Sequence, residues 1–130
     1  MNFAIAVFGS PYGSDAHQHA LAFTKAALNQ GHNIHRVFFY HEGVYVAVGS
    51  RVAPQDEVDV TAEWSKLADQ HDFELAVCIA NAQKRGVLNE AEADRNDRPT
   101  TSLAPGFELV GLGQLIEAAT QVDRLIEFPA

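Results

Sequence analysis

Short apolar runs alternate along this chain with segments in which apolar residues recur every three or four positions. The first run, Asn2 to Phe8, reads as a strand, and Gly9-Ser10-Pro11-Tyr12-Gly13-Ser14 as a loop whose last serine is placed to cap a helix. That helix extends to about Gln30 with Ala16, Ala20, Phe23 and Ala27 on one face, and Gly31 stops it. A second strand follows from Asn33 to Phe39. Val60, Trp64, Leu67 and Ala68 mark one face of a helix from about Asp59 to Gln70. A third strand covers Phe73 to Ile79, and Ala80 to Gly86 reads as a short helical turn. Asn89 and Glu92 have capping-box spacing, which predicts another short helix. Phe107 to Val110 is a fourth strand. Leu112, Leu115, Ile116 and Ala119 are the expected core face of a last helix, and Asp123 to Phe128 is a fifth strand.

Alternating strands and helices predict an α/β fold: a single-domain, three-layer, flavodoxin/Rossmann-like structure with a mostly parallel five-stranded sheet. With 130 residues and no linker or internal repeat, residues 1–130 are expected to form one domain. Ligands of open parallel sheets gather beyond the carboxyl ends of the strands. That rule places Tyr12, His41 and Cys78 on one rim. The segment from Tyr40 to about Asp56 is long for a connection and contains the apolar run Tyr45-Val46-Ala47-Val48. A functional or subunit-contact loop is expected there, with an extra strand as the alternative.

Charge narrows the function. Seventeen acidic against nine basic residues leave a formal net charge of −8, which argues against direct nucleic-acid binding and suits docking to basic partners. No apolar stretch is long enough to span a bilayer, so no membrane association is expected. The start reads as a strand rather than a signal peptide. The one cysteine excludes an internal disulfide, CxxC redox chemistry and thiolate-rich zinc sites, in keeping with a reducing, cytoplasmic location.

That cysteine is the leading chemical candidate. Cys78 closes an apolar strand and opens a helical turn, where the helix dipole favours the thiolate, the nucleophilic form. A small buried core residue is the competing reading. Its place on the rim favours the functional one. His41 lies on the same rim and is placed to polarise the thiol, although an exposed loop histidine has the same sequence signature. Lys84 and Arg85 follow six and seven residues later and can support a thiolate or simply complement the end of the helix. The Gly9–Ser14 loop leads into a helix and so invites comparison with a phosphate cradle. It matches neither GxGxxG nor GxxxxGK[ST], and Pro11 removes one donor, which favours a tight turn. None of the six histidines has metal-ligand spacing.

Three segments, Phe38-Phe39-Tyr40-His41-Glu42-Gly43-Val44, Val77 to Gly86 and Gly111 to Ala119, together resemble the DsrE/TusD family of sulfur-relay proteins. The match in order and spacing runs from the first strand to Phe128. The chain departs from the family pattern at Val46-Ala47-Val48, where polar, often Asn-containing sequence is usual. The resemblance implies a sulfurtransferase with a persulfide on Cys78 and no metal or organic cofactor. It implies a heterohexamer with TusB/TusC-like or DsrH/DsrF-like subunits, a TusA-like sulfur donor and a TusE/DsrC-like acceptor. The sulfur would go to 2-thiolation of tRNA wobble uridine or belong to dissimilatory sulfur oxidation. Two competing classes remain at this level: a flavodoxin-like nucleotide or flavin module using Gly9–Ser14, and a non-catalytic structural subunit.

Overall fold

A computed structural model describes residues 1–130. The strands are β1 (Asn2–Val7), β2 (Asn33–Phe39), β3 (Glu74–Cys78), β4 (Phe107–Val110) and β5 (Arg124–Phe128). The helices are α1 (Ala16–Asn29), α2 (Val60–His71), α3 (Ile79–Lys84), α4 (Glu90–Arg95) and α5 (Gly113–Gln121). All four ladders are parallel, in the order β4-β3-β2-β1-β5. The α/β fold with a five-stranded parallel sheet is therefore as the sequence predicts. No helix is long and apolar enough to cross a membrane.

The alternation of side chains along β2 sorts the helices onto the two faces. Phe39 points to the α1/α2 side, where its ring stacks on His17 at 5.6 Å and meets Trp64 edge-on at 5.6 Å. Arg36, of opposite parity, points to α5: its guanidinium donates to the Gln114 carbonyl at 2.8 Å and to Glu117. It also bonds Glu74 of β3 at 2.6 Å, directly across the ladder from it. Trp64, Phe38, Phe39, Ile5 and Leu75 fill the centre of the core and are essentially inaccessible. Such burial of large apolar side chains contributes on the order of 2 kcal/mol each, the main term holding the layers together.

Local signals read from sequence fare unevenly. Asn89 caps α4 as its spacing predicts, its Oδ1 accepting the Glu92 N–H at 2.9 Å. The first helix is capped differently: Asp15 holds the N-cap position without a side-chain bond, and Ser14 Oγ accepts from Ala16 N–H at 3.3 Å. Ala16, Ala20 and Ala27 are buried against the sheet, whereas Phe23 is half-buried beside Phe3 and Phe128.

Two segments differ more. The Tyr45–Val48 region is not an extra strand. Residues His41–Ala47 wind as a 3₁₀ helix that buries Val44, Val46 and Ala47. Val44 and Ala47 are three apart and therefore share a face of a three-residue turn. Gly43 makes this possible, because a Cβ there would lie 2.2 Å from the Val7 carbonyl oxygen. The expected core face of the last helix is the second correction. On α5 only Ala118 is buried; Leu115 packs partly against the core, while Leu112, Ile116 and Ala119 are exposed. The tether of Gln114 and Glu117 to Arg36 sets this rotation, turning the neighbouring face inward.

Candidate functional site

The thiol sits where β3 passes into α3. Cys78 is the last residue of the strand, paired with Val110 of β4, and it is also the N-cap residue of α3. Its side chain falls on the α5 side of the sheet, sharing strand parity with Glu74 and Ala76. Only 3% of the residue is exposed.

One side chain contacts the sulfur by hydrogen bond: Asn81 Nδ2 donates to Sγ at 3.2 Å. Asn81 Oδ1 in turn accepts the His41 backbone N–H at 2.7 Å. The first turn of α3 is therefore stitched to the start of the 3₁₀ segment across the carboxyl edge of the sheet. His41 adopts a left-handed conformation, φ 50°, which presents its N–H to that amide. Sequence reasoning did not single out Asn81. Its signal was present all the same, since a residue three after an N-cap returns to the cap side of a helix.

The other sequence candidates divide. His41 reaches the thiol's neighbour through its main chain, while its ring is edge-on to Tyr40 at 4.4 Å. Arg85 is committed elsewhere: its guanidinium donates to Glu42 Oε1 at 2.7 and 3.1 Å and to the Asn81 carbonyl at 3.1 Å. Lys84 is exposed on the last turn of the short helix. Tyr12 belongs to a different part of the rim. Its ring lies under the Arg51 guanidinium at 5.0 Å, in a groove of about 1090 Å³ lined also by Gln18, Lys25, Val52 and Val58. Cys78 does not line that groove.

The strand order reverses direction between β1 and β5, the crevice where open parallel sheets hold nucleotides. Here the Gly9 end of the first loop is closely packed. A Cβ on Gly9 would meet Ser14 Oγ at 2.2 Å and Ala130 Cα at 3.1 Å, and the Gly13 N–H is taken by Ser10 Oγ at 2.8 Å. The loop is thus tightly turned at Gly9 and Gly13, while Pro11 to Asp15 line the groove that holds Tyr12.

The DsrE/DsrF-like family matches residues 1–128, the whole sheet and every element named above. The chain belongs to the DsrE/DsrF-like family. It is 49% identical to a sulfurtransferase TusD homolog of Pseudomonas aeruginosa over 128 residues, 98% of this chain and 97% of the relative. It is 45% identical to the DsrE protein of Allochromatium vinosum, with 98% of each chain covered. It is 44% identical to sulfurtransferase TusD of Salmonella typhi, covering 98% of this chain and all of that one. The ychN protein of E. coli shares the fold, with a TM-score of 0.78 at 18% identity over 98% of this chain and 99% of that one. The family thus bears out the resemblance of the three segments, and the names of these relatives support a transferase of sulfur in general terms.

Proposed function

We propose that this chain is a sulfurtransferase subunit that carries a sulfane sulfur as a persulfide on Cys78. The observation that carries this reading is the placement of the one thiol. It ends β3 at the carboxyl edge of a parallel sheet and receives a hydrogen bond from Asn81. A thiolate in that place can attack the outer sulfur of a donor persulfide and later release it to an acceptor thiolate, by the exchange logic of thiols and disulfides. A single cysteine per chain is enough, since both other thiols belong to partner proteins. A second one nearby would resolve the persulfide into a disulfide.

Partners follow from the family reading. The proposed assembly is a heterohexamer with TusB/TusC-like or DsrH/DsrF-like subunits, supplied by a TusA-like donor and drained by a TusE/DsrC-like acceptor, in a reducing, cytoplasmic setting. The proposed destination is 2-thiolation of tRNA wobble uridine, with dissimilatory sulfur oxidation as the other branch. Identities of 49% to a TusD homolog and 45% to DsrE are too close to separate the two.

A second reading has its own observation. Cys78 is 3% exposed, as a structural subunit would require. Intact-mass analysis after loading with inorganic polysulfide separates the two. A one-sulfur adduct on the wild-type chain, absent from Cys78→Ser, supports the carrier; an unmodified wild-type chain supports the structural subunit.

A further inference from the structure

We infer that Asn81 is a further catalytic residue of this transfer, its side-chain amide bonding the Cys78 sulfur whenever that sulfur carries negative charge. This rests on Cys78 being the sulfur carrier. The orientation of the amide follows from the backbone. His41 N–H can only donate, so the atom 2.7 Å from it must be the amide oxygen, and the NH₂ group is thereby turned to the sulfur at 3.2 Å. Arg85 holds the same residue from its other side through the Asn81 carbonyl at 3.1 Å, and is itself fastened to Glu42. The donor is therefore fixed before any substrate arrives, the condition under which a hydrogen bond contributes most to charge stabilisation.

The chemistry calls on that donor twice. In loading, the Cys78 thiolate attacks the outer sulfur of a protein persulfide R–S–SH. A Cys78 S–S bond forms, the R–S bond to the outer sulfur breaks, and R–S⁻ leaves, giving Cys78–S–SH. In unloading, an acceptor thiolate attacks that outer sulfur and Cys78–S⁻ departs as the leaving group, leaving the acceptor as R′–S–SH. No electrons are gained or lost overall and no co-reactant is needed. Sγ is anionic at the start of the first step and at the end of the second, and an N–H donor favours the charged form both times. Arg85 cannot serve in its place while bound to Glu42.

The test compares the full-length chain with Asn81→Asp and Asn81→Ala, each checked for folding by circular dichroism. The readouts are the pH dependence of Cys78 alkylation by iodoacetamide and polysulfide loading by intact mass. Asn81→Asp retains an oxygen for His41 N–H but sets a carboxylate oxygen against the sulfur. It is expected to raise the alkylation midpoint by one pH unit or more, the tenfold effect of losing a hydrogen bond to a charged group. Asn81→Ala, with no donor and no opposing charge, is expected to move it less and in the same direction. An Asn81→Asp profile matching wild type, with wild-type loading intact, overturns the role of Asn81 and leaves the Cys78 reading standing. Failure of the wild-type chain itself to take up sulfur overturns both.

Discussion

The indole N–H of Trp64 donates to Nδ1 of His17 at 3.1 Å, inside a core where both residues are wholly inaccessible. A donor on Nδ1 requires that nitrogen to be unprotonated, so the imidazole is neutral there. Burial lowers the His17 pKa to about 4 against an ordinary 6.5, the Gly9 backbone opposing the shift and the charge of Arg51 adding to it.

Stability should therefore depend on His17 in a defined window. The unfolded chain binds a proton that the folded chain refuses between about pH 6.5 and 4. The contribution is complete above pH 6.5 and declines as the pH falls towards 4, by about 3 kcal/mol in all. Urea unfolding at pH 7, 6 and 5 measures it. His17→Phe should be less stable at pH 7, by about 1–3 kcal/mol, because the Trp64 donor loses its acceptor. It should also show a flatter slope, and an unchanged slope would acquit His17.

Arg36 is the tether of α5. Burial disfavours its charge, but hydrogen bonds to Glu117 and Glu74 outweigh this and raise its pKa, while the Arg36 hydrogen bond lowers that of Glu117. Removing the guanidinium leaves two carboxylates that already reach solvent, with side chains 57% and 44% exposed. The cost of Arg36→Met should thus stay near 1–3 kcal/mol, below that of stranding a buried charge. Amide exchange should quicken in α5 more than in β3. Equal acceleration everywhere would contradict the tether.

Gly43→Ala should be costly, because Gly43 is buried against the end of β1. The added methyl would stand 2.2 Å from the Val7 carbonyl oxygen, so the 3₁₀ segment must move off the end of β1. Overpacking of this kind costs about 1–3 kcal/mol. Since His41 N–H bonds Asn81, the displacement should also alter the Cys78 alkylation rate. A stable variant with wild-type alkylation would show that the segment yields without disturbing the thiol.

Ile116→Ser is expected to do little, changing unfolding free energy by less than about 0.5 kcal/mol, because Ile116 is 63% exposed. A loss of 2 kcal/mol or more would restore it to the core, as its spacing with Leu112 and Ala119 first implies.

Arg85→Gln should likewise alter stability by less than about 1 kcal/mol, since its partner Glu42 is half-exposed and such pairs are weak. If Arg85 acts only by holding Asn81, the alkylation midpoint should shift less than in Asn81→Asp. A larger shift would return Arg85 to direct support of the thiolate.

Much of this protein was legible along the chain because the governing interactions are local. Short apolar runs and period-3.6 apolar patterns depend on neighbours a few residues apart, and they place every strand and helix of the sheet order within a few residues. The end of β3 at Cys78, and so the position of the thiol on the carboxyl edge, belongs to the same class of inference. Asn89 also caps α4 from local spacing alone.

Three features were decided only in three dimensions. Rotation of α5 depends on Arg36, some eighty residues distant in the chain, so a stripe of Leu112, Ile116 and Ala119 that would pack in isolation is turned to solvent. Tyr45–Val48 carries the composition of a strand, but Gly43's approach to Val7 and burial of Val44 and Ala47 wind it as 3₁₀ helix. Tyr12 and Arg85, near Cys78 by topology, are drawn away by Arg51 and Glu42, whereas Asn81 is brought to the sulfur and to His41 together. Sequence patterns report which residues want burial or charge. Which partner each one finds is a competition among distant groups, and only the packed chain resolves it.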